Sequence, residues 1–227
     1  LYGGNMDTLL IYILMLIIPA IASLNIRIVY SKYAKINGKS DLTGFDVAKK
    51  ILEKNGLDEL YIVETQGYLT DAYDSSRKTV RLSSDIYHGT SISSIAVSAH
   101  ECGHAIQDKE GYPWMRFRTM IFPVVSLGEK LAYIVLIIGL ILSSFDLVLI
   151  AICLTALGLL FQLVTLPVEI DASRRAQKLL IEYGIIDSNE KSGIHSVLGA
   201  AAMTYVAGVL SSALDILYLL SMFDRRD

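Results

Sequence analysis

Four long apolar runs constrain this chain more than any other feature. The first is Leu9–Leu24, extended by Ile26, Ile28 and Val29. The second, roughly Ile121–Leu142, contains Glu129 and Lys130, and its longest charge-free part is Leu131–Leu142. The third, Leu147–Leu166, holds no charged residue, and the fourth, roughly Ala200–Met222, holds Asp215. A helix needs about 20 apolar residues to cross the hydrocarbon core of a bilayer, so each run is expected to be a membrane span, with Ser143–Asp146 as a tight hairpin between the middle two. The first run is too long for a signal-peptide core and lacks a basic segment before it. Composition supports the same reading. Of the 227 residues, 53% are hydrophobic and 19% charged, against about 45–50% and about 25% in a typical soluble domain, and the excess is concentrated in the runs.

The basic residues give the spans an orientation. Arg27, Lys32, Lys35 and Lys39 follow the first run, and Arg174, Arg175, Lys178 and Lys191 follow the third. Lys and Arg accumulate on the cytosolic side of membrane proteins, so both segments are expected there. Arg225 and Arg226 after the last run argue the other way, beside Asp224 and Asp227. The expected division is an N-terminal span in 1–30, a cytosolic α+β unit in 31–118, a transmembrane hairpin in 119–166, a cytosolic helical segment in 167–199 and a C-terminal span in 200–227. Met6 is expected to be the native start, with Leu1–Asn5 an extension. A net charge of −3 gives no case for nucleic-acid binding. Cys102 and Cys153 fall in a predicted helix and a predicted span and do not read as a disulfide framework.

Ser31–Arg118 reads as the water-facing α+β unit. Thr43 can cap a helix with Val47, Ala48, Ile51 and Leu52 on one face, ended by Asn55-Gly56. Tyr61–Glu64 and Lys78–Leu82 favour extended structure, with Asp71, Asp74, Ser75 and Ser76 as turn residues between them. A further helix is expected from about Ser93 to Lys109, capped by Ser91 or Ser93 and stopped by Gly111.

That last helix carries His100-Glu101-Cys102-Gly103-His104. Positions i and i+4 share a helix face, so both imidazoles can bind one zinc ion, with Glu101 beside them as general base toward a water that the metal activates. The helix is otherwise apolar and small (Ile95, Ala96, Val97, Ala99, Ala105, Ile106), and polar groups placed there need partners. A catalytic zinc takes a third protein ligand and keeps one position open. His88 and His195 are the other histidines. The better candidate is Glu169, in the helical stretch that leaves the third run with Pro167 near its start. Asp171 lies about 200° around that helix from Glu169 and cannot face the same ion; it is expected to support the site from behind or to sit on the surface.

Ser98–Gln107 resembles the corresponding stretch of the YugP-type membrane zinc metallopeptidases. Leu69-Thr70-Asp71, Val80-Arg81-Leu82-Ser83, Phe161–Glu169 and Thr204-Tyr205-Val206-Ala207 resemble that family as well, so the likeness covers nearly all of Leu9–Leu220. It implies a mainly α, multi-pass bacterial membrane protein with a small gluzincin-like zinc peptidase unit, in which a glutamate completes the zinc site. The chain is more distantly similar to HtpX-type proteases, which carry an aspartate four residues after that glutamate; this chain has Ser173 there.

Other residues carry weaker signals. Lys78–Leu82 can be the edge strand on which an extended substrate lies. Tyr205 and His195 are candidate donors to a developing oxyanion. His88 reads as a surface histidine. Charge inside spans is costly and often functional, and pairing with Lys130 or placement near the interface would account equally simply for Glu129; Asp215 gains no role. The expected function is a zinc-dependent endopeptidase of the bacterial cell membrane, with its site on the cytosolic side, acting on membrane or membrane-proximal proteins. Its partners would be the protein or peptide substrate and the lipid bilayer. The alternative is a non-catalytic, zinc-holding membrane scaffold, which would have no need of Glu101. A transporter is disfavoured, because Asp215 alone makes no pathway.

Overall fold

A computed structural model describes the backbone from Gly3 to Phe223 and side chains from Leu9 to Ser221. The basic pair Arg225 and Arg226, with Asp224 and Asp227, lies outside the described residues. The protein is mainly helical. The elements are α1 (Gly3–Tyr33), α2 (Gly44–Lys54), β1 (Tyr61–Thr65), β2 (Ala72–Asp74), β3 (Thr79–Ser83), α3 (Ser84–Tyr87), α4 (Ile92–Glu110), α5 (Pro113–Ile141), α6 (Phe145–Glu182) and α7 (Lys191–Phe223). Within them, Leu9–Tyr33, Pro113–Ile141, Phe145–Glu182 and Lys191–Ser221 are long and apolar enough to cross a membrane.

Each of these helices outruns the apolar run that announces it, because polar residues at the ends continue the same backbone hydrogen bonding. The hairpin shrinks accordingly to the three residues between Ile141 and Phe145. Pro167 does not start a helix, contrary to expectation. It lies inside α6, where its missing N–H costs one backbone bond, to the carbonyl of Leu163, and the flanking turns carry the helix through.

The chain forms two compact units, one of residues 1–23, 116–167 and 204–227 and one of residues 24–115 and 168–203. In the first, Glu129 and Asp215 line one cavity of about 420 Å³ together with Thr155 and Tyr218. Among the described residues no ion pair joins Glu129 to Lys130. The Glu129 carboxylate lies instead so close to Gly158 that a Cβ there would meet Oε1 at 2.7 Å.

The second unit is the α+β unit. Helix α2 starts as its sequence requires. The Thr43 side chain accepts from Asp46 N at 3.1 Å, and Asp46 Oδ2 accepts from Thr43 N at 3.0 Å, a reciprocal capping box. Its buried face is Val47, Ala48, Ile51 and Leu52. For α4 the cap is Ser91, which accepts from Ser94 N at 3.1 Å; Ser93 lies inside the helix and donates to the carbonyl of Tyr30 at 2.9 Å. Gly111 ends α4 in the left-handed region at φ 65°, where a Cβ would be strained. The core joins Ile51, Leu82, Ile86 and Ile95 to Leu180, Ile185 and Ile194. Each such side chain stabilises the fold by about 1.5–3 kcal/mol on full burial.

The sheet has the order β1-β3-β2, with β1 parallel and β2 antiparallel to β3. This corrects the expectation for Lys78–Leu82. Strand β3 is central, because Val80 and Leu82 are both fully buried. The antiparallel edge is β2, within a stretch read as a turn. The turn itself follows β2: Asp74 Oδ1 accepts from Ser76 N at 3.1 Å and from Arg77 N at 3.0 Å, and Lys78 closes it at φ 54°.

Candidate metal centre

Two helices of the second unit build the site. On α4, His100 and His104 stand one turn apart with ring centroids 4.7 Å from each other. Helix α6 supplies Glu169, whose Oε2 lies 3.2 Å from His100 Nε2 and 3.4 Å from His104 Nε2. One ligand atom from each of the three residues falls within 4.8 Å of the other two. The helices approach this closely because α4 carries Gly103 between the histidines. A Cβ at that position would meet the backbone oxygen of Ala172 at 2.7 Å.

The second nitrogen of each ring is engaged from behind. His104 Nδ1 lies 2.9 Å from Gln107 Oε1, and His100 Nδ1 lies 3.2 Å from Ser173 Oγ. Both Nε2 atoms are therefore the ones turned toward Glu169. Ser173, where the HtpX-type pattern has an aspartate, thus supports His100 through a hydroxyl. Asp171 does not face the three donors. Its Oδ2 accepts from Gln107 Nε2 at 2.8 Å and from Arg175 Nε at 2.6 Å.

Glu101 lies beside the donors and is buried. Its Oε2 accepts from the backbone N–H of Tyr73 at 2.8 Å. An N–H that serves Glu101 points away from β3, so Tyr73 is a position at which the backbone of β2 faces its free edge. The Tyr73 hydroxyl donates to Asp108 at 2.8 Å, which fixes β2 alongside α4. Burial raises the Glu101 carboxyl above the ordinary carboxylate range, against the pull of His100 and His104. Burial works against a charge on His104, but hydrogen bonding and attraction from Glu169 outweigh it and raise its pKa.

Of the other residues singled out in the sequence, His88 is a surface histidine paired with Glu64 at 3.3 Å. His195 is exposed on α7 and lies outside the three-residue group. Tyr205 belongs to the first unit. Sequence reasoning missed Gln107, Ser173 and the Tyr73 amide as parts of the site. For Gln107 a signal existed: it lies three residues after His104 and so shares its face.

The model of a family described as "Putative neutral zinc metallopeptidase" matches residues 8–224. The chain belongs to this family. A curated relative, "Putative membrane protease YugP" of Bacillus subtilis (strain 168), is 41% identical over 202 residues, which cover 89% of this chain and 90% of that protein. No solved structure matches the chain. The family's metal is zinc, and the donors present fit it. Two neutral imidazole nitrogens and one carboxylate oxygen are a common catalytic zinc set, and a tetrahedron with arms of about 2.0–2.1 Å has edges of about 3.3–3.4 Å. The two histidine-to-glutamate separations match such an edge.

Proposed function

We propose that this chain is a membrane-embedded zinc endopeptidase in which His100, His104 and Glu169 hold the metal and Glu101 is the catalytic base. The observation that carries this reading is the convergence of both Nε2 atoms on Glu169 Oε2, with a buried second carboxylate beside them. Bound there, zinc would act as a Lewis acid that acidifies a water and polarises a peptide carbonyl.

The chain's own groups would do the rest. Glu101 would take a proton from the attacking water and pass it to the departing amine. A base whose pKa is raised toward neutrality is better matched to that exchange at neutral pH. The Tyr73 N–H would keep the Glu101 carboxylate aimed during the transfer. The substrate would lie extended along the free edge of β2, where the Tyr73 carbonyl is left to accept from its backbone whatever the side chains. His195 stays a candidate for the oxyanion donor.

The site would face the cytosol, in a bacterial cell membrane, with the division into spans and cytosolic segments given above. That orientation rests on Arg27, Lys32 and Lys35 after the first apolar run and on Arg174, Arg175 and Lys178 after the third. The substrates would be membrane or membrane-proximal proteins. Elemental analysis of the purified chain, followed by digestion of a peptide library, tests the reading. One zinc per chain and metal-dependent cleavage are expected. A wild-type chain that takes up no zinc on reconstitution would overturn it.

A further inference from the structure

Gln107 is fully buried, and its carboxamide is bonded at every position that matters. Nε2 donates to the backbone carbonyl of Val168 at 2.8 Å and to Asp171 Oδ2 at 2.8 Å. A carbonyl can only accept, so the nitrogen must face α6 and the oxygen must face α4. That oxygen meets His104 Nδ1 at 2.9 Å. Nδ1 therefore carries a ring hydrogen, and in the neutral ring, the form that binds a metal, the lone pair lies on Nε2, toward Glu169. Asp171 is held in turn by Arg175, whose NH1 reaches Glu110 at the end of α4 at 2.7 Å. The chain His104–Gln107–Asp171–Arg175–Glu110 leaves α4 and returns to it through α6.

We propose that Gln107 is a positioning residue with two ends. One end fixes the tautomer and orientation of His104. The other locks α6 in register, so that Glu169, one residue after Val168, meets the histidines. Asp171 is its anchor. This rests on the zinc assignment of the preceding subsection. The two histidines are held with different stringency. The Ser173 hydroxyl can donate or accept and does not by itself dictate the His100 tautomer, whereas the Gln107 amide permits His104 only one.

The decisive variant is Gln107→Glu. If Gln107 served His104 alone, a carboxylate would accept from Nδ1 at least as well, and metal binding would hold or tighten. For a two-ended clamp the same change sets an oxygen against the Val168 carbonyl and the Asp171 carboxylate. Zinc affinity of the full chain in detergent, measured by chelator competition, is then expected to fall about 10–100-fold in Gln107→Glu and in Gln107→Leu, as when outer partners of metal ligands are lost. Asp171→Asn, whose amide oxygen still accepts from Gln107, should stay near wild type, and Ser173→Ala should lose less than Gln107→Leu. Cobalt loading adds a spectroscopic reading: the visible bands should change in Gln107→Leu and not in Asp171→Asn. The unfolding midpoints of metal-free Gln107→Leu, Asp171→Leu and the double variant test the clamp without any metal. The double variant should lose less than the sum of the singles. Wild-type affinity in Gln107→Glu, or additive midpoints, would overturn the proposal. A wild-type chain that binds no zinc would instead count against the zinc assignment, and the metal-free comparison would still judge the clamp.

Discussion

The Tyr73 backbone N–H donates to Glu101 Oε2 at 2.8 Å, so the proposed base is tied to the free edge of β2. Base and substrate track are thereby fixed by one bond. If a peptide lies along that edge, one of its amides should matter most, because successive backbone groups of a strand point to opposite sides and, of the three residues of β2, Tyr73 alone faces outward, with its carbonyl left to accept. N-methylation scanned along a cleaved peptide should raise KM about fivefold at one position, the value of one net hydrogen bond of about 1 kcal/mol. Uniform sensitivity at every position would count against docking on β2.

Gly103 allows α4 and α6 to touch, with a Cβ blocked by the Ala172 oxygen at 2.7 Å. Gly103→Ala must push the helices apart. A loss of about 1–3 kcal/mol in stability is expected from such overpacking, together with weaker zinc binding, because Glu169 moves with α6. Chemical unfolding and chelator competition on the same preparation measure both. Unchanged zinc affinity would mean that the helix contact does not set the ligand geometry.

The pH dependence of metal binding follows from His104. Its pKa is raised above the ordinary histidine value by Glu169 in spite of burial. Protons and zinc compete for the same Nε2 lone pair. Zinc affinity should therefore be full above the raised pKa and fall as pH drops through it, beginning at a higher pH than the about 6.5 of a free histidine would give. Competition titrations between pH 5 and pH 8, roughly the range over which histidines titrate, would show this. Constant affinity across that range would contradict His104 as a ligand.

The proposed topology predicts that Asp58 and Asn189 are reached from the same side of the membrane. Cysteines placed at these two exposed positions should react with an impermeant reagent from the cytosolic side only. Opposite reactivity would break the assignment of 31–118 and 167–199 to one compartment.

Much of this architecture was legible in the sequence for physical reasons. Hydropathy alone marks the four apolar helices, the spacing of His100 and His104 puts both on one face, and Thr43 and Gly111 announce helix ends through local bonding. The edge strand was not legible. Ala72–Asp74 is three residues long, and tertiary bonds hold it: Tyr73 to Glu101 and Asp108, and Asp71 just before it to Ser83 N at 2.7 Å. Gln107 and Ser173 were hidden for a related reason. Their roles depend on which face of α4 meets α6, and that contact turns on a backbone approach at Gly103.

The most direct test of the central claim is zinc content and peptide cleavage measured together in Glu101→Gln and Glu169→Gln, from one detergent preparation. Glu101 is a proton carrier in this account and not a ligand, so Glu101→Gln should keep its zinc and lose about 10²–10⁴-fold in rate, the usual contribution of a positioned acid or base. Glu169→Gln should lose the metal as well as the activity, because a neutral amide is a poor zinc ligand. Full activity in Glu101→Gln, or equal zinc loss in both variants, would contradict the account.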